Sequence, residues 1–258
     1  STQKAFSSNQ DETKWIHADS IQIVAVLSGL LHDIGKATIG FQNKLLNSNS
    51  KNLGDPYRHE WLSLRLFQAM IYGCKTDDEW LTRLMDFDGF MQANPAWLEQ
   101  LPNDALATKK ADLKASRLDN LTPLAKLVAW LIVTHHRMPE QRNAREWGKE
   151  IDIEEFFANI EPYDKWVKNE KLPDNQDFWR LKDVIMASKS WQKGVRRWAR
   201  KARDCAPLRA LAVDTISDPL FMNLSRLCLM LADHNYSSLP NGEDRRRVKG
   251  DTDFLVKL

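Results

Sequence analysis

The 258-residue sequence predicts an all-α fold, and three features carry that expectation. Glycine supplies only 10 residues, roughly half of its usual share of about 7 %, while Leu, Ala, Lys and Glu are plentiful, a balance that disfavours a turn-rich β architecture. Apolar residues recur at helical spacing in the strongly patterned segments. Two segments, at Thr122-Pro123 and Ser217-Asp218-Pro219, open with a capping residue followed by proline, whose fixed φ and missing N–H suit the first helical position. A hydrophobic content of 43 % is enough for a packed core in one large domain or two small ones, which excludes disorder as an overall description.

The elements follow in order. From Ser20 to Leu31, Ile21, Ile23, Val24, Val26, Leu27, Leu30 and Leu31 crowd the whole helical circumference, which marks a central buried helix running straight into His32-Asp33. A polar loop at Asn47 to Pro56 precedes a helix from about Tyr57 to Tyr72, with Leu62, Leu66 and Met70 at a four-residue spacing and His59 in its first turn. After Thr122-Pro123, the residues Leu124, Leu127, Val128, Leu131 and Ile132 trace one face toward His135-His136, and Pro139 stops the helix. Asp174 to Met186 and Ser188 to Arg203 read as two further helices. The last starts at Ser217-Asp218-Pro219, points Leu220, Leu224, Leu227 and Leu231 inward, and delivers Asp233. Two β-branched runs, Ile21 to Leu27 and Leu131 to Thr134, sit within longer helical periods, so helix is preferred to buried strand. The tail from Pro240 loses helical periodicity and reads as a strand returning to the core or as a linker before another domain.

Lys+Arg number 37 against 35 Asp+Glu, a net charge of +2, so any attraction to a polyanion must be local. Cys74, Cys205 and Cys228 are odd in number and far apart, which suggests neither a disulfide framework nor a zinc ribbon and makes a reducing cytoplasm the expected compartment. No stretch nears the roughly 18 apolar residues of a membrane span, and Ser1 to Lys14 is polar rather than a signal sequence. The chain lacks an initiator Met and reads as a processed or excised piece. It has no Gly-x-x-x-x-Gly-Lys-Ser/Thr element, so ATP-driven unwinding is not expected of it.

The informative feature is the histidine pattern. Of His17, His32, His59, His135, His136 and His234, most lie beside a carboxylate or another histidine near an expected helix end. Imidazole and carboxylate are natural ligands of borderline divalent metals, and an adjacent pair can meet one ion or span two. A lone His-Asp dipeptide is more simply a helix-end histidine and a solvated acid. With Gly35-Lys36 behind it, where Gly35 lets the backbone turn close to a site, and with His59, His135-His136 and Asp233 downstream, a metal constellation is the better reading.

The order His32-Asp33, His59, His135-His136, Asp233 resembles the HD metal-dependent phosphohydrolase superfamily. More closely, it resembles the HD nuclease domain of the CRISPR-associated helicase-nuclease of type I systems, in which a doubled histidine lies between the HD pair and the final Asp. The phrases Leu31-His32-Asp33-Ile34-Gly35-Lys36-Ala37 and Leu231-Ala232-Asp233-His234-Asn235-Tyr236-Ser237-Ser238 are similar to the I-F subtype, where this domain is fused to an integration-complex subunit and a helicase. The likeness covers most of the chain, with an HD nuclease domain expected over 1–239 and a tail or linker toward a further domain over 240–258.

The resemblance implies an all-helical HD bundle with the metal site between helix ends, two metals, and cleavage of single-stranded DNA displaced by a crRNA-guided surveillance complex. It implies a helicase domain, of the same or another chain, as partner, and no membrane. Asp33 is then the bridging ligand, His32 and Asp233 complete one metal, and His59, His135 and His136 complete the other. Many HD proteins add an upstream histidine; the candidate is His17, which on a helix continuous with His32 would stand roughly 22 Å away, so a break would be needed to bring it in.

Phosphodiester hydrolysis needs a nucleophile at neutral pH and neutralisation of charge on the phosphoryl and leaving oxygens, and two metals about 3.5–4 Å apart supply both. Histidine-rich ligation favours Mn, Fe, Co or Ni over Mg. Lys36 joins Asp33 as a catalytic candidate, near enough in sequence to contact the scissile phosphate; a plain surface lysine is the alternative. Gln192 to Arg203 contains Lys193, Arg196, Arg197, Arg200, Lys201 and Arg203 without an acid, with Trp191, Val195, Trp198 and Ala202 opposite. This stripe either tracks a phosphate backbone or is a solvated face over a Trp-anchored core. His234 is expected as a neighbour of the site or a surface group, and Ser237 as a hydrogen-bonding neighbour. Two other functions compete with a nuclease: an HD-type nucleotide phosphohydrolase, which would need a closed pocket, and a noncatalytic metal-bound docking module, which loss of a ligand would have favoured.

Overall fold

The computed structural model describes residues 17–46, 56–102, 104, 120–137, 175–181, 185–214 and 218–238. The expectations placed on 1–16, on the loop 47–55, on Pro139 and on the tail from Pro240 lie outside these. The helices in chain order are α1 (Ala18–Gly29), α2 (Ile39–Leu46), α3 (His59–Met70), α4 (Asp77–Met85), α5 (Phe87–Ala93), α6 (Pro123–Thr134), α7 (Lys189–Asp204), α8 (Ala206–Asp214) and α9 (Pro219–Ser238). Short 3-10 turns cover Ile34–Ala37, Trp97–Gln100, Asn175–Trp179 and Ile185–Ala187. Among the described residues there is no β-strand; Thr38 and Leu181 form an isolated antiparallel bridge.

The centre of the bundle is α6, buried at Leu124 and Ala125 and without interruption from Leu127 to Thr134. A helix apolar on every side must be covered on every side, and α1, α3, α8 and α9 all pack against it. The other all-round apolar helix, α1, buries Ile21, Ile23, Val24, Ala25 and Leu27 among α6, α7 and α9. Both β-branched runs are therefore helical. Trp61, Trp80 and Trp130 are among the largest fully buried side chains.

Polar fasteners set the helix positions. Asp77 of α4 accepts from Trp80 Nε1 (2.8 Å) and Thr122 Oγ1 (2.5 Å) through one oxygen, and from Leu124 N (3.3 Å) through the other. The cap expected from Thr122 is thus delivered by an aspartate from another helix, and the Thr122 hydroxyl donates to it. Asp218 caps α9 through the N–H groups of Leu220 and Phe221 (3.0 and 3.2 Å), and Ser188 caps α7 through Trp191 N (3.4 Å). A buried Arg65–Asp104 pair, bonded at 2.9 and 3.0 Å and joined by Trp61 Nε1, anchors α3.

Three expectations are corrected. The helix over 174–186 is instead the 3-10 turns at 175–179 and 185–187: Trp179 packs its ring 5.0 Å from Tyr57, and Leu181 is drawn into the bridge with Thr38, so tertiary contacts claim backbone that local pattern assigned to a helix. On α9 the inward face is Phe221, Met222, Ser225 and Leu229, while Leu220, Leu227 and Leu231 are exposed and Leu224 is half-buried. Two apolar stripes compete on that helix, and the one holding Phe221 and Met222 is seated on α1 and α6. On α7 the buried face is Trp191, Val195, Ala199 and Ala202, and Trp198 sits half-buried on the basic side.

Candidate metal centre

Helix ends build the site. His32 and Asp33 follow the C-terminus of α1, His59 is the first residue of α3, His135 and His136 follow α6, and Asp233 lies on α9. The α1 end is held close to α3 by Gly35, whose N–H donates to Ser63 Oγ at 2.8 Å. A Cβ at Gly35 would fall 2.4 Å from the His59 carbonyl oxygen and 2.7 Å from Ser63 N, so only glycine permits this approach. From α9, Arg226 Nε donates to Thr134 O at 2.8 Å, tying the Asp233 helix to the carbonyl just before His135.

Side chains then converge. His32 donates Nδ1–H to Gly29 O at 2.7 Å, which turns Nε2 toward Asp33 Oδ2 (3.4 Å) and Asp233 Oδ1 (3.6 Å). His135 donates Nδ1–H to Ile132 O at 2.7 Å. His59 Nε2 is 3.3 Å from Asp33 Oδ1, and Lys36 Nζ donates to Asp33 Oδ2 at 2.6 Å. The His135 ring lies 4.7 Å from His32, 5.7 Å from His59 and 4.0 Å from His136.

Electrostatics favour ligand-ready forms for most of the set. Burial would raise Asp33, but His59, His32 and Lys36 outweigh it and hold its carboxyl well below the usual range. The His32 imidazole, 3.6 Å away, likewise lowers Asp233 against its burial. Burial, followed by the charges of His32 and His136, pushes His135 down to about 3, and burial also lowers His136. His32 alone goes up: burial opposes its charge, yet Asp233, Asp33 and the Gly29 carbonyl together prevail.

The donor set fits a metal. His32 Nε2, Asp33 Oδ1, His59 Nε2 and His135 Nε2 are buried without a hydrogen-bond partner, a costly arrangement for polar atoms unless something else engages them. Three overlapping trios could each hold an ion, their ligand atoms within 4.8 Å of one another: His59, His135, His136; His32, Asp33, His135; and His136, Asp233, His234. The six residues singled out from sequence are therefore brought together. His234, expected as a neighbour, joins the third trio; its signal was its place beside Asp233. Glu60, overlooked in the sequence although it adjoins His59, lies behind that ring with Oε2 3.4 Å from Nδ1. His17 is not in these trios; it precedes the far end of α1 without a side-chain cap hydrogen bond and lies edge-on to Phe221.

The centre opens into a cleft of about 720 Å³ lined by His136, Leu231, Asp233, His234, Asn235, Ser237 and Ser238. The basic helix α7 is joined to the α1 end through Trp191 Nε1, which donates to Leu30 O at 2.8 Å. Lys193, Arg197 and Arg200 are exposed on it, whereas Arg196 donates to Met85 O at 2.7 Å and lies 3.7 Å from Asp86.

Fold and site together define an all-α HD domain. The chain belongs to the Cas3 HD domain family, whose profile, described as "Cas3, HD domain", matches residues 2–233. It is similar to a CRISPR-associated nuclease/helicase Cas3 of subtype I-F/YPEST from Pseudomonas aeruginosa, 36 % identical over 233 residues that cover 90 % of this chain and 21 % of that protein. A protein of the same description from Pectobacterium atrosepticum is 31 % identical over 246 residues, covering 89 % and 21 %. The chain thus spans about a fifth of the length of these relatives. No described helix is long and apolar enough to cross a membrane.

Proposed function

We propose that this chain is a metal-dependent nuclease domain that hydrolyses phosphodiester bonds of single-stranded DNA in CRISPR interference. The observation that carries the reading is the convergence of four buried ligand atoms without a hydrogen-bond partner, from His32, Asp33, His59 and His135, beside an open cleft. An open cleft suits a continuous strand better than the closed pocket a small nucleotide needs, and a complete donor set argues against a docking module without catalysis.

Bound metals, two by this reading and of the Mn, Fe, Co or Ni type, would supply Lewis-acid charge at the phosphate and activation of the attacking water. Asp33 would serve both metals, a role supported by its two oxygens facing different partners, His59 on one side and His32 with Lys36 on the other. His32 and Asp233 would help hold one ion, and His59, His135 and His136 the other. Lys36 reaches the same carboxylate and would contact the scissile phosphate from there. A helicase domain, in the same or another chain, and a crRNA-guided surveillance complex would deliver the single strand, in keeping with relatives named as nuclease/helicases.

Metal content by elemental analysis, paired with cleavage of circular and linear single strands, tests the proposal. Asp33→Ala should lose bound metal and at least about 10³-fold in rate, given that metal polarisation is worth several kcal/mol, while its helical circular dichroism is retained. Full activity in that variant would sink the reading.

A further inference from the structure

His59 differs from the buried imidazoles of His32 and His135 in what fixes its ring. His32 and His135 each follow a helix end and donate Nδ1–H to the carbonyl three residues earlier, which leaves Nε2 as the lone-pair atom facing the centre. His59 opens α3, so no helical turn precedes it to supply such a carbonyl. Glu60 lies on its Nδ1 side instead. Glu60 Oε2 is 3.4 Å from His59 Nδ1 and has no hydrogen-bond partner, and the side chain is 1 % exposed. The other oxygen, Oε1, accepts from Arg58 Nε at 2.8 Å and lies 2.7 Å from Arg58 Nη2. A buried carboxylate oxygen with no donor is expensive, and the side-chain nitrogen facing it is His59 Nδ1.

We infer that Glu60 is a positioning residue: it accepts the Nδ1 proton of His59, so that Nε2 presents its lone pair to a metal, and Arg58 holds Glu60 in that pose. The inference rests on the reading of His59 as a metal ligand. A carboxylate behind a ligating histidine fixes its tautomer and orientation, and loss of such a partner typically costs about 10- to 100-fold in metal affinity.

The arrangement makes a test with a built-in rescue. In Glu60→Gln the volume is kept, but Arg58 demands an oxygen beside it, so the amide turns its NH2 toward His59. That NH2 donates to Nδ1 and drives the ring proton onto Nε2, the tautomer that cannot ligate. Adding Arg58→Met frees the amide to rotate its oxygen toward Nδ1. Titration calorimetry of the full chain with Mn²⁺ should show Glu60→Gln binding about 10- to 100-fold more weakly, with much of the loss recovered in the double variant. Nitrogen-15 spectra of the metal-free proteins at alkaline pH should show Nδ1–H in the wild type and Nε2–H in Glu60→Gln. Wild-type affinity in Glu60→Gln, or a double variant that binds no better than the single one, would overturn the inference. If the wild type itself binds no Mn²⁺, the metal reading falls, while the tautomer spectra still decide whether Glu60 holds the His59 proton.

Discussion

Lys36 Nζ lies 2.6 Å from Asp33 Oδ2, on the carboxylate whose other oxygen faces His59 Nε2 at 3.3 Å. An ammonium therefore shares the oxygen that a metal on the His32 side would use. Both side chains are about one-fifth exposed, so the pair is only partly screened.

Two consequences separate in Lys36→Met. Removing the competing charge should tighten Mn²⁺ binding by up to about tenfold, or ~1.4 kcal/mol. If Lys36 contacts the phosphate as proposed, the same change should slow cleavage by at least about tenfold at saturating metal, because hydrogen bonds to charged groups contribute roughly 1.5–3 kcal/mol. Calorimetry and single-turnover cleavage read the two effects independently. Weaker Mn²⁺ binding in Lys36→Met would show that Lys36 supports Asp33 as a ligand rather than competing with the ion.

Gly35→Ala addresses how the site is held together. The added Cβ meets backbone atoms of His59 and Ser63, not the end of a flexible side chain, so the 3-10 turn and α3 must separate. Overpacking of this kind costs about 1–3 kcal/mol, and the Gly35 N–H to Ser63 Oγ bond is lost with it. Thermal unfolding should show a destabilised chain, and Mn²⁺ affinity should fall because His32-Asp33 and His59 move apart. A variant of native stability and native affinity would mean that the turn relaxes without cost.

The candidate ligands, which the structure brings together, stand out in the sequence because most come as adjacent pairs at ends of strongly periodic helices: His32-Asp33 after α1, His135-His136 after α6. Helix ends are where a single chain can bring distant imidazoles together, and a run such as Leu124 to Ile132 announces its end clearly. Glu60 was not legible because an acid in the first turn of a helix already has an ordinary explanation in the helix dipole; its buried place behind His59 depends on how α3 packs. The inward face of α9 was misread for a related reason. Leu220, Leu227 and Leu231 keep a helical spacing as good as that of Phe221, Ser225 and Leu229, and only the seat on α1 and α6 decides between them. The cap on α6 from Asp77, 47 residues away from Leu124, has no local signal at all.

Acidification should destabilise the metal-free chain. The unfolded chain protonates His135 near about 6.5, whereas the folded chain protonates it only at about 3. Between those values the unfolded state binds more protons, so stability falls as pH drops, by about 1.4 kcal/mol per pH unit for each such histidine. His136, lowered by burial, acts in the same direction. His32, raised, is charged in both states below about 6.5 and adds no slope there; its contribution is lost as pH rises through its folded value. Asp33 and Asp233, lowered, add to the acid loss only below about 3.9. Urea unfolding of the chelated protein from pH 6.5 down to 4.5 should show this decline, and His135→Asn should flatten it. An unchanged slope in that variant would place the titration elsewhere.

The path of the strand over α7 is tested by salt. Lys193, Arg197 and Arg200 are exposed, while Arg196 is committed to Met85 O and Asp86, so reversing Arg196 would confound binding with packing. The informative variant is Lys193→Glu, Arg197→Glu, Arg200→Glu. Binding of a single strand should weaken with salt on a log-log slope of about 0.7 per neutralised phosphate, and losing three contacts should reduce that slope by about 2. Trp198 gives an orthogonal reading, since Lys201 Nζ lies 4.4 Å and Arg197 5.7 Å from its ring, making a half-buried aromatic platform amid cations. Trp198→Ala should cost about 1–3 kcal/mol of affinity through lost base stacking and leave the slope unchanged, because no charge is removed. If the triple variant keeps the wild-type slope, α7 is a solvated face held to the core by Trp191, and the strand must reach Asp33 from the side of Lys44 and Arg137.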